Sequence, residues 1–261
     1  MRTIRLDLAY DGSGFHGWQR QPGLRTVQGE LERALATLLR EPVSLVGAGR
    51  TDAGVHALGQ VASFRTRGGL SLRRIARGCE ALAGRDIVVR RALEVVPEFH
   101  ARYRAVARHY LYLLQRERSP FWDHRCLHPH PWPELEQMNG AVQALVGDHD
   151  FAPCSCRTPD ERGTRSHVFY ARWEPWERGA VLRIGAVRFL YKMVRAIVAL
   201  SLQIGQGRLP VMALADRLQA GTGRATSVAA AHGLHLAAVD YPEAAGDGFR
   251  GLDCEPPKPV L

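Results

Sequence analysis

Lysine is nearly absent from this chain. Of the 35 basic side chains only Lys192 and Lys258 are lysine, so arginine carries almost all of a net charge of +9. Arginine grips phosphate with paired N–H donors and lies flat against bases, so an arginine-rich surface suits RNA. Cysteine is scarce too: five residues, an odd number without framework spacing, exclude a disulfide-stapled scaffold and point to a reducing compartment. No run approaches the ~20 apolar residues that a membrane helix needs. The opening Met1-Arg2-Thr3-Ile4-Arg5 lacks the apolar core of a signal peptide. A cytoplasmic protein without a membrane segment is the expectation.

The 261 residues suffice for two modest domains or one large one. Ile4, Leu6, Leu8 and Tyr10 alternate with polar residues and predict a half-buried strand. Residues 10–23 then form a Gly-rich loop with aromatics and amides. Thr26 is a suitable N-cap, and Val27, Leu31, Ala34, Leu35 and Leu38 mark one helix face. Strands at 43–49 and 58–65, a helix at 71–83 and a strand at 86–96 complete the order β-α-β-β-α-β. A similar order follows: a long strand at 103–115, a helix at 134–146, strands at 166–174 and 181–189, and a helix from Leu190 to about Ile204. A short helix near 210–220 and a strand at Leu234–Val239 close it. The expected fold class is α+β, with two similar halves and largely antiparallel sheets around a basic cleft. Residues 1–102 and 103–245 are the expected domains, with a loose tail over 246–261.

One loop concentrates the chemistry. Gly47-Ala48-Gly49-Arg50-Thr51-Asp52-Ala53-Gly54-Val55-His56 has three glycines in eight residues, flanked by strand-like apolar runs. It presents one cation, Arg50, and one carboxylate, Asp52, at a sheet edge. Asp and Gly also dominate ordinary turns, but a carboxylate so placed can act as nucleophile, base or metal ligand. On the strand 103–115 one face carries Arg104, Val106, Arg108, Tyr110, Tyr112 and Leu114. Aromatics interleaved with arginine on an open sheet stack single-stranded bases, although aromatic alternation alone is commonly core packing. Lys192 and Arg195 lie three apart, on the flank of the apolar stripe Leu190, Met193, Val194, Ile197. His124, Cys126, His128, His130, Cys154 and Cys156 are the one group suggestive of metal. Their single-residue gaps fit zinc poorly, and no metal is assigned.

The decapeptide resembles the active-site signature of the tRNA pseudouridine synthase A family, G-R-T-D-A-G-V-H. The likeness extends to Tyr10-Asp11-Gly12-Ser13 with Gly17-Trp18-Gln19, to Gly59-Gln60-Val61, and to Arg108-His109-Tyr110-Leu111-Tyr112. It continues through Phe189-Leu190-Tyr191-Lys192-Met193-Val194-Arg195 and ends at Ala231-His232-Gly233-Leu234 and Val239-Asp240-Tyr241-Pro242. The stretch Ala152-Pro153-Cys154-Ser155-Cys156 after His149-Asp150-Phe151 departs from the family pattern. The resemblance implies two similar α/β domains around a basic RNA-binding cleft. It also implies isomerisation of uridine to pseudouridine in the anticodon stem-loop of tRNA, at positions 38 to 40. Asp52 is then the catalytic residue, Arg195 its charge partner, Tyr110 the ring that meets the target base, and Arg50 a further contact. Arg20, Arg104, Arg108 and Lys192 are candidate RNA contacts. The reaction needs no cofactor, the partner is tRNA, and family members act as homodimers. A non-catalytic RNA-binding module shares the charge and the aromatic strand but has no need of the Asp52 loop. A glycosidase needs a second acid, which neither Asp11 nor Asp150 obviously supplies.

Overall fold

The structure is a computed structural model that describes residues 1–156 and 163–242. The tail over 246–261 lies outside the described residues. The chain divides into two compact units, the first comprising residues 1–106 with the described residues from His235 onward, the second Ala107–Leu234.

In the first unit the elements are β1 (Arg2–Tyr10), α1 (Val27–Leu39), β2 (Val46–Gly47), β3 (His56–Thr66), α2 (Leu72–Ala83) and β4 (Ile87–Val95). Strand β1 pairs antiparallel with β3 on one side and β4 on the other, so the alternating residues Ile4, Leu6 and Leu8 are buried at its centre. Both helices begin where side chains satisfy otherwise unpaired N–H groups. Thr26 accepts from the Gly29 amide at 3.3 Å, and Ser71 from the Arg74 amide at 3.4 Å. Val27, Leu31, Ala34 and Leu35 of α1 are fully buried, as are Ile75 and Cys79 of α2. Arg40 ends α1 in the left-handed region, where the helix cannot continue.

The second unit contains β5 (Ala107–Gln115), α3 (Leu135–Gln143), β6 (Gly147–Asp150), β7 (Arg165–Trp176), β8 (Gly179–Ala186), α4 (Met193–Gly205) and α5 (Ala213–Ala220). Strand order is β5-β8-β7-β6, each neighbouring pair antiparallel. Helix α3 packs against β7 and α4. Met193, Val194, Ala196, Ile197, Val198 and Ala199 leave α4 buried nearly all round, and its Ser201 hydroxyl accepts from the Trp173 indole at 2.9 Å.

The α+β class with largely antiparallel strands is what the order of elements implies, and the structure has it. The differences are local. The run 43–49 supplies only two strand residues, because beyond Gly47 the chain turns into the Arg50–Asp52 loop. Strand β5 starts at Ala107 rather than 103; Arg104 lies before it in a turn closed by its own amide on the His100 carbonyl at 3.0 Å. All nine residues of β5 are buried, on both faces, so the strand is interior rather than half-open. Lys192 adopts φ of 60° and caps α4 from outside, moving the helix start three residues beyond Leu190. The short strand β6 has no apolar alternation and was not foreseen. The closing strand β9 (Leu234–Asp240) pairs in parallel with β3, His56 opposite His235 and Ala57 opposite Leu236.

Candidate active site

Asp52 is half-buried on a loop whose backbone is tied to the segment before α1. The Asp52 carbonyl accepts from the Val55 amide at 3.1 Å, closing a turn over Ala53-Gly54 in which Gly54 takes φ of 77°. Immediately before Asp52, the Thr51 carbonyl accepts from the Trp18 amide at 3.0 Å. Immediately after, the Gly54 amide donates to the Phe15 carbonyl at 3.3 Å. Gly17 makes this contact possible: a Cβ there would lie 2.7 Å from the Thr51 carbonyl, and its φ is 89°.

Side chains extend the clamp beneath the loop. The buried Tyr10 hydroxyl bonds the Thr51 hydroxyl at 2.9 Å, and Gln60, wholly buried on β3, donates to the Gly49 carbonyl at 2.9 Å. Burial pushes the Tyr10 phenol up to about 12, against the smaller opposing effect of its bonds with Thr51 and Gln60, so it stays neutral at physiological pH. His56 closes the loop at its far end. The Gly12 amide lies 3.1 Å from His56 Nδ1 and Asp11 Oδ1 lies 3.3 Å from the same nitrogen. A neutral ring accepts from Gly12; a protonated one donates to Asp11. The His56 ring also stacks on His235 of β9, with centroids 4.7 Å apart and planes 17° from parallel.

Of the residues singled out in the sequence, Arg20, Arg50, Asp52 and Arg104 lie in the first unit, and Arg108, Tyr110, Lys192 and Arg195 in the second. Arg20 is mostly exposed and reaches Glu32 at 3.3 Å; Arg50 and Arg104 are exposed. In the second unit Tyr110 is buried edge-on to Phe189, centroids 5.1 Å apart. Tyr112, two residues on, is fully buried and donates to the Ala230 carbonyl at 2.9 Å. Arg195 Nε donates to the neighbouring Ala229 carbonyl at 2.8 Å, and the Ala229 amide returns a bond to the Arg195 carbonyl at 2.9 Å. The 229–230 segment thereby joins α4 to β5. Burial raises the Tyr112 phenol, and nearby Arg195 opposes that shift only in part. Arg108 is buried and donates to the Val187 carbonyl at 2.8 Å, and Lys192 Nζ lies 5.1 Å above the Tyr191 ring. Among the described residues no three His, Cys, Asp or Glu side chains converge as metal ligands would.

The clamp residues Tyr10, Gly12, Thr51, His56 and Gln60 were not assigned roles from the sequence. Each stands within a motif quoted from the sequence, and Gln60 is in addition a polar side chain inside an apolar strand pattern.

A family model described as tRNA pseudouridine synthase matches residues 8–104 and 141–242. A tRNA pseudouridine synthase A of Chlorobaculum tepidum is 44% identical over 84% of this chain and 90% of its own length. One of Chlorobium luteolum is 42% identical over 93% and 97%, and one of Roseiflexus castenholzii 42% over 97% and 94%. A solved H/ACA RNP bound to a substrate RNA containing 2'-deoxyuridine aligns at 14% identity with a TM-score of 0.32, over 75% of this chain and 44% of that one. These matches define an enzyme of tRNA modification. The chain belongs to the tRNA pseudouridine synthase family.

The clamp has a pH signature. His56 and, to a lesser degree, Ser13 hold the Asp11 carboxyl far below its ordinary range, against the effect of burial. A carboxylate whose pKa is depressed on folding stabilises the fold above its unfolded pKa of about 3.9, and that contribution drains away as pH falls further. Asp11→Asn should therefore lower the urea midpoint at pH 7, with the gap from wild type closing below about pH 4. A gap constant from pH 7 to pH 3 would show that the Asp11 charge does not hold the loop.

Proposed function

We propose that this protein isomerises uridine to pseudouridine in the anticodon stem-loop of tRNA, at positions 38 to 40, with Asp52 as nucleophile. The observation that carries this reading is a half-buried carboxylate on a loop bonded at Gly49, Thr51, Asp52, Gly54 and His56. In the reaction the N1–C1′ bond breaks, the uracil turns while held, and C5 bonds to C1′. The proton leaves C5 and N1 gains one, so the product has the composition of the substrate and no co-reactant is consumed. Asp52 forms a transient bond to the ribose or the base, which divides one difficult step into two.

A stacked base must first leave the stem, at a cost of a few kcal/mol, of which stacking on Tyr110 returns about 1–3 kcal/mol. Arg195 is assigned as the charge partner of Asp52, with Arg50 two residues before Asp52 in the chain. Arg20, Arg104, Arg108 and Lys192 are assigned to the RNA backbone. A homodimer working in the cytoplasm completes the reading; among the described residues, no helix is long and apolar enough to cross a membrane.

Asp52→Asn should abolish pseudouridine formation in a tRNA transcript, read by chemical mapping, while tRNA affinity stays within a few-fold. Turnover above a small fraction of wild type removes Asp52 from the mechanism. Arg195→Ala should lower the single-turnover rate strongly while tRNA affinity stays within a few-fold, and Arg195→Lys should recover part of the loss, because charge returns without the fork geometry. A rate near wild type with weakened tRNA binding would make Arg195 an RNA contact instead.

A further inference from the structure

A groove of about 500 Å³ runs between α2 and β4 of the first unit, separate from the Asp52 loop. Arg73 and Arg77 enter it from α2, Arg90 and Arg91 from β4, over a floor that includes Ala76 and Val89; Glu80 is the one carboxylate of its lining. Arg73 and Arg77 stand one helical turn apart, where like charges repel and weaken a helix. On the opposite wall β1 and β4 shift register at Asp7, which pairs with Arg91 while Leu8 pairs with Val89. The extra residue is Arg90, and a bulge of this kind re-aims a side chain. Arg91 pairs with Asp7 at 2.6 Å, a carboxylate it shares with Arg5. No ion pair is described for Arg73, Arg77 or Arg90, all exposed.

Charged residues on an edge strand such as β4 also discourage sheet-to-sheet association. That role explains Arg90 and leaves Arg73 and Arg77, on the facing helix, without a reason. Three separated guanidinium groups along an open trough match a chain of single negative charges better than one compact anion. The trough also lies within reach of the candidate site. Tyr10 on β1, whose hydroxyl holds Thr51, pairs with Ile87 at the start of β4, and Arg90 is three residues further on, roughly 10 Å along the strand.

We propose that the α2–β4 groove is a second RNA-binding site, in which Arg73, Arg77 and Arg90 contact the phosphodiester backbone of a tRNA whose uridine is at Asp52. The proposal rests on the reading of tRNA as substrate. It adds a part of the protein that fixes affinity without touching the reacting base.

The test is equilibrium binding of an unmodified tRNA transcript between about 50 and 300 mM salt, for wild type and for the triple variant Arg73→Gln, Arg77→Gln, Arg90→Gln. Each lost phosphate contact removes ~0.7–0.9 from the slope of log affinity against log salt. The triple variant should therefore bind with a slope shallower by about 2–3 and, near 0.1 M salt, roughly a hundredfold more weakly. Its rate of pseudouridine formation at saturating tRNA should match wild type. If the triple variant misfolds by circular dichroism, the three single Gln variants replace it, each expected to lower the slope by slightly under ~1. An unchanged slope with affinity within twofold overturns the proposal. So does a slope that is unchanged while sedimentation shows the variant losing a wild-type dimer, since the groove then holds a second copy of the chain. A wild type that binds with a steep slope, lost in the variant, but never forms pseudouridine would sink the functional reading and leave this site standing. An active wild type with an unaffected variant does the reverse.

Discussion

The constraint on which the rest depends is the backbone clamp between residues 10–18 and the loop Gly47–His56. Two segments without regular strand or helix along most of their length hold each other through Trp18–Thr51, Phe15–Gly54, Tyr10–Thr51 and Gly12–His56. Each such bond contributes only about 1 kcal/mol net, but leaving a buried partner unpaired costs about 1–3 kcal/mol. The arrangement is thus cooperative: loosening one contact exposes several polar groups at once. Sheet strands β1 and β3 anchor it, since Tyr10 ends the first and His56 begins the second. On the proposed reading, a loop held in this way gives Asp52 the preorganisation that a nucleophile on a surface turn ordinarily lacks.

The arginine excess acts at a different level. Some arginines are structural, as Arg5 is, buried beside Asp7 and over the Tyr241 ring. Those on α2 and at the β4 bulge are exposed and carry the electrostatics. Affinity for a polyanion and chemistry on one base are therefore separable within the first unit. On the proposed reading the groove supplies sequence-independent attraction and the clamped loop reactivity. An enzyme that must find one uridine within a long polyanion benefits from that division, because phosphate contacts position and do not specify.

The α+β class was legible from period-2 and helical patterns, and the loop from its decapeptide. Strand ends and strand environment were less legible. Alternation on 103–115 suggested an open face, but burial on both sides of β5 depends on partners distant in sequence, such as Ala230 against Tyr112. Lys192 looked helical by spacing; its left-handed backbone is a local exception that no periodicity encodes. The clamp was hidden because Tyr10, Gln60 and His56 read as ordinary strand or motif residues until their partners, from ten to fifty residues away, are known. The parallel pairing of β9 with β3, which stacks His235 on His56, joins chain segments almost 180 residues apart and left no trace in either segment.

On the proposed reading the Asp52 carboxylate works because it is fixed in place, and moving it by one methylene probes that dependence. The measurement is the single-turnover rate of pseudouridine formation by Asp52→Glu on a tRNA transcript with enzyme in excess. A charge kept but displaced by about 1 Å should lose on the order of a hundredfold or more in rate with tRNA affinity unchanged. An Asp52→Glu rate within a few-fold of wild type would contradict the account, because the clamped loop would then be irrelevant to the chemistry.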